Sequence, residues 1–172
     1  MKHLLNNETD TEMRKYLLNL YLEEFRTTLF RQTMFAEFED MTHKAIEDGQ
    51  VLTAEGMCEQ YEALNARYYG DAVEKDNTIK YEWARIPHFY NAFYVYKYAT
   101  GYSAATAFAS AILSGQPGAV EKYLGFLHAG GSDYSLNILK NAGVDLNTPQ
   151  PVTVTLQRFA EKLQELKALL GR

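Results

Sequence analysis

The stretch from Trp83 to Leu113 reads W-A-R-I-P-H-F-Y-N-A-F-Y-V-Y-K-Y-A-T-G-Y-S-A-A-T-A-F-A-S-A-I-L. Pro87 breaks whatever precedes it and fits the first turn of a helix, where its missing N–H is not needed. The next proline is Pro117, so the sequence predicts one helix from Pro87 to about Ser114–Gly115. Tyr90, Tyr94, Tyr98 and Tyr102 recur every four residues, which on a helix stacks their side chains along one face. Ala104, Ala105, Ala107, Ala109 and Ala111 make the later turns slim enough to pack closely.

Two readings of this stretch stand side by side. In the first it is a buried aromatic helix: Phe89, Phe93, Val95 and Phe108 enter the core and the tyrosine hydroxyls find hydrogen-bond partners. In the second it is the wall of a site, with the phenols, His88 and Arg85 placed to hydrogen-bond a carbonyl oxygen or an oxyanion.

The chain around it reads as helices throughout. Thr9 or Asp10 caps a helix that meets no Pro or Gly before Gly49, with Leu18, Leu22, Phe25, Leu29, Met34 and Phe38 at helical steps. This predicts one very long helix, or two with a bend. Thr53 caps a second helix that Gly70 ends, and residues 70–80 read as a polar loop. After G-Q-P-G at Gly115–Gly118, helices are expected over about Ala119–His128 and from Ser132 or Asp133 to Lys140. T-P-Q-P at Thr148–Pro151 reads as a rigid extended link before a last amphipathic helix, about Thr153–Leu170. No segment has the alternation of a strand, so the expected fold is all-α, a multi-helix array in a single domain of 172 residues.

Composition narrows the function classes. A net charge of −5 with no basic cluster argues against nucleic-acid binding. The lone Cys58 has no disulfide partner in the chain, which fits a reducing compartment and a small core residue. No apolar leader and no run approaching the ~20 residues of a membrane span are seen. The expectation is a cytoplasmic protein with no membrane partner.

The four histidines, His3, His43, His88 and His128, include no pair one turn apart, and none precedes a Glu. A zinc-protease helix needs such a pair so that both nitrogens reach one ion. No metal ligand is therefore assigned, and no zinc is expected in this chain alone. No G-x-S-x-G elbow and no phosphate-binding glycine loop occur. His88 and the tyrosines remain as the candidate chemistry.

Three blocks carry a resemblance: F-R-T-T-L-F-R-Q-T-M-F-A-E-F-E at Phe25–Glu39, Y-E-W-A-R-I-P-H-F-Y through Y-V-Y-K-Y-A-T-G-Y-S-A-A at Tyr81–Ala105, and G-G-S-D-Y at Gly130–Tyr134. In order and content they resemble the C-terminal part of oligoendopeptidase F, a bacterial zinc metallopeptidase of the thimet-oligopeptidase superfamily. The resemblance implies the C-terminal portion of a larger α-helical metallopeptidase fold, with the zinc helix H-E-x-x-H and the glutamate ligand upstream of anything present here. It implies an oligopeptide substrate, zinc in the complete enzyme, and a missing N-terminal, zinc-bearing part as partner. Self-association would cover the faces that part leaves open.

By the same resemblance, His88, Tyr94 and Tyr98 are the candidate catalytic residues, and Arg85, Tyr90 and Tyr102 the candidate substrate-binding ones. They would bind substrate backbone and stabilise the tetrahedral intermediate. Arg26, Arg31, Glu37 and Glu39 are candidates for internal ion pairs or supporting contacts. A non-catalytic helical module that holds peptides on its tyrosine face is the alternative, and a purely structural all-α domain the third reading.

Overall fold

Asp10 opens the long helix as the sequence predicts: its carboxylate accepts the Met13 N–H at 2.8 Å. In the computed structural model, which describes residues 1–74 and 76–172, all regular structure among the described residues is helical. Lys2–Asn7 forms α1. The long helix is α2 (Thr11–Phe25), a π-helical turn at Arg26–Phe30, and α3 (Arg31–Glu47). Thr53 caps α4 (Ala54–Tyr69), and Gly70, at φ +61°, ends it. Then follow α5 (Tyr96–Leu113), α6 (Ala119–Ala129), α7 (Ser135–Asn141) and α8 (Gln150–Leu169).

Five expectations need correction. The helix predicted from Pro87 is not continuous. Pro87–Tyr90 is a 3-10 turn, and α5 begins only at Tyr96. Between them Phe93 has φ +55°, and its N–H goes to the Glu39 carboxylate instead of a helical carbonyl. Phe93 is consequently half exposed rather than in the core, whereas Val95 and Phe108 are buried. T-P-Q-P is not extended: Pro149 is already helical in φ and ψ, α8 starts at Gln150, and Pro151 sits in its first turn, where no proline N–H is missed. Tyr134, not Ser132 or Asp133, is the residue at the α7 N-cap; Asp133 instead accepts the Tyr134 N–H at 2.6 Å. Residues 70–80 hold short 3-10 turns at Gly70–Ala72 and from Ile79; Lys75 lies outside the described residues.

The chain forms two compact units. In the unit of Met1–Arg26 with Thr100–Arg172, α2 packs on α8 and an Arg14–Glu165 ion pair joins them. The buried Phe25 ring meets those of Tyr21, Tyr102 and Phe159 at 5.1–5.6 Å. The alanines act as predicted: Ala104 and Ala107 pack with Phe108, Ala142 and Val144.

The unit of Thr27–Ala99 has its own core. Met34, Phe35 and Phe38 of α3 pack against Tyr61 and Leu64 of α4, and Ile86 and Val95 close the cluster. Each such buried side chain contributes roughly 1.5–3 kcal/mol. Cys58 is buried beside them and accepts the Trp83 indole N–H at 3.4 Å. This core fixes the segment that carries His88.

Candidate active site

Glu82 anchors the approach to His88. It is 6% exposed, and three donors meet its carboxylate: Arg31 from α3 at 2.7 Å, Arg85 at 2.5 Å and the Tyr61 hydroxyl from α4 at 2.6 Å. Burial alone would raise the Glu82 pKa. The hydrogen bonds of Arg31 and Tyr61 and the charges of Arg31 and Arg85 outweigh it and hold the carboxyl below its ordinary value. Burial, followed by the bond to Glu82, pushes the Tyr61 phenol up, so it stays a donor.

Six residues on from Glu82, the Pro87–Tyr90 turn presents His88. The Tyr98 hydroxyl stands 3.2 Å from His88 Nε2 and donates a long hydrogen bond to the Tyr94 hydroxyl at 3.5 Å. The Tyr94 ring stacks on the imidazole, with centroids 5.6 Å apart and planes 21° apart. The Tyr98 ring stands edge-on to both, at 5.7 and 5.6 Å. The hydrogen bond with Tyr94, and then burial, holds the Tyr98 phenol above its ordinary pKa, so it keeps its proton at neutral pH.

The break in the predicted helix is what assembles this trio. On an uninterrupted helix, at about 100° per residue, His88 and Tyr94 would point about 120° apart. The turn at Asn91–Phe93 brings them face to face. A left-handed φ at a non-glycine residue costs about 1–2 kcal/mol. Here the Phe93 N–H donates to Glu39 Oε1 at 2.7 Å, and a bond to a charged group contributes about 1.5–3 kcal/mol, enough to offset that strain. The Phe93 ring rests against His43, centroids 4.6 Å apart.

The other candidates are placed differently. Arg85 is spent on Glu82, with its side chain 71% exposed. Tyr90 is 85% exposed and borders a cavity of about 300 Å³ lined also by His43, Trp83 and Phe89. Tyr102 belongs to the other unit, where burial, and then Tyr21 and Glu24, raise its pKa. Of the four tyrosines in the predicted ladder, Tyr94 and Tyr98 are the pair whose rings and hydroxyls meet at His88. Sequence reasoning named Glu39 and Arg31 as supporting residues and missed Glu82 and Tyr61. Glu82 sits inside the second resembling block, but nothing in the sequence pairs it with α3 and α4.

Peptidase family M3 is matched by residues 1–158. The chain belongs to that family. Over 169 residues it is 50% identical to oligopeptidase PepF of Bacillus subtilis and 46% identical to group B oligopeptidase PepB of Streptococcus agalactiae. These alignments cover 98% of the chain and 25% and 28% of those proteins, so the chain spans about a quarter of their length. The crystal structure of oligoendopeptidase-F from Enterococcus faecium superposes with a TM-score of 0.96 at 48% identity, covering 99% of this chain and 33% of that one. The fold is that of the helical M3 peptidases, and the match is consistent with a C-terminal part of oligoendopeptidase F.

M3 peptidases are zinc-dependent. Among the described residues, no three of His, Cys, Asp and Glu gather where they could hold an ion. His88 is ringed by phenols, and His43 Nδ1 is engaged by the Glu39 carbonyl at 2.8 Å. The donor set among the described residues does not fit zinc.

Proposed function

We propose that this chain is the substrate-holding part of an oligopeptide-cleaving M3 peptidase, with zinc and its ligands supplied by a part of the enzyme outside this sequence. His88, Tyr94 and Tyr98 form the contact to the peptide carbonyl. With the imidazole protonated at Nε2, hydrogen bonds run from His88 Nε2–H to the Tyr98 oxygen and from Tyr98 O–H to the Tyr94 oxygen. That leaves the Tyr94 hydrogen free for a substrate oxygen. As the carbonyl carbon becomes tetrahedral its oxygen gains negative charge, and a fixed donor in a partly desolvated site stabilises that charge.

The observation that carries this reading is the contact of imidazole and two phenols at 3.2 and 3.5 Å. A core role would not require a histidine and two half-buried hydroxyls at one spot. The test is His88→Ala in a complete peptidase bearing this sequence. The expected result is that kcat and kcat/KM fall together while KM changes little. A change in KM alone would reduce the trio to a ground-state binding surface, and no change in either would remove it from the site.

A further inference from the structure

Glu39 and Phe93 lie 54 residues apart in sequence, yet the carboxylate of one holds the backbone of the other. We propose that Glu39 is the positioning residue for Tyr94: by capturing the Phe93 N–H it locks the left-handed break, and the break sets where the next phenol stands. The inference rests on the reading that the trio contacts substrate.

Three observations carry it. Glu39 is 4% exposed on α3, so its carboxylate is fixed by packing. Its bond goes to the one non-glycine residue among those described that has a positive φ, where the backbone has most to gain from an external partner. The residue after that break places its ring flat on His88. Were Phe93 to relax, its N–H would return to the helical register, and Tyr94 would turn about 120° from the imidazole. His43 supports the clamp, with Nδ1 on the Glu39 carbonyl and its ring against Phe93.

The test compares the 172-residue chain with Glu39→Gln and Glu39→Ala by amide exchange and aromatic NMR. The Phe93 amide should be protected in the parent chain and in Glu39→Gln, which keeps an acceptor oxygen. It should exchange about 10-fold faster or more in Glu39→Ala. In that variant the ring-to-ring signal between His88 and Tyr94 should vanish, while that between Phe38 and Tyr61, 5.2 Å apart, persists. Should Glu39→Ala lose the core signal too, the comparison moves to a Phe93→Gly background, where glycine carries the left-handed φ without strain. There the Glu39→Ala change should still weaken the His88–Tyr94 signal.

An unprotected Phe93 amide in the parent chain, a His88–Tyr94 signal that survives loss of that protection, or unfolding in both backgrounds would each overturn the assignment. The functional reading is tested separately by Tyr94→Phe in a complete peptidase. Unchanged turnover there would remove the trio's role and leave the NMR result standing.

Discussion

Tyr98→Phe removes one oxygen and leaves the ring. In the structure that oxygen is the middle member of the trio, in contact with His88 at 3.2 Å and Tyr94 at 3.5 Å. Both contacts are long and the side chain is half-buried, so their loss should lower stability by no more than about 1 kcal/mol. If the trio supports a developing oxyanion, the effect on turnover is far larger: Tyr98 orients the Tyr94 hydroxyl, and losing that support should cost on the order of 10²-fold, the low end of the 10²–10³-fold lost when an oxyanion donor itself is removed. The two outcomes are separated by thermal unfolding of the chain and steady-state kinetics of a complete peptidase bearing it. Tyr96→Phe is the control, since Tyr96 opens α5 two residues earlier and is 48% exposed. Equal kinetic effects at Tyr96 and Tyr98, or a Tyr98 effect confined to stability, would refute the reasoning.

Glu82→Gln should destabilise the chain by about 2–3 kcal/mol in chemical denaturation at neutral pH, because Arg31 loses its anion in a largely buried cluster. The Glu82 pKa is lowered on folding, so its contribution is full above the ordinary carboxylate value and is lost as pH falls through the folded one. The gap between parent and variant should narrow below about pH 4, and a constant gap down to pH 2 would exclude the ionised cluster. The chain alone should bind no stoichiometric zinc, because no three candidate ligands meet among the described residues; about one tightly held zinc per chain by elemental analysis would contradict this.

The helices were legible because their signals are local. Asp10, Thr53 and Gly70 mark ends through side-chain oxygens and backbone freedom that the sequence displays directly. The break at Phe93 was not legible, because its cause is the carboxylate of Glu39, which only tertiary packing brings to that N–H. Periodicity therefore extended the helix back to Pro87 and the ladder back to Tyr90. The same break explains why His88, Tyr94 and Tyr98 meet, so the candidate trio came from resemblance and not from spacing. Pro149 and Pro151 misled in the opposite direction: two prolines in a polar run suggest extension, but the helix start accepts both, Pro149 at the N-cap and Pro151 in the first turn.

The most direct measurement is a crystal structure of a complete peptidase bearing this sequence, with a phosphinic peptide that mimics the tetrahedral intermediate. The account predicts a phosphinyl oxygen at about 2.7–3.1 Å from the Tyr94 hydroxyl, whose hydrogen the trio leaves free. An inhibitor seated with that oxygen out of hydrogen-bond reach of the Tyr94 hydroxyl would contradict it.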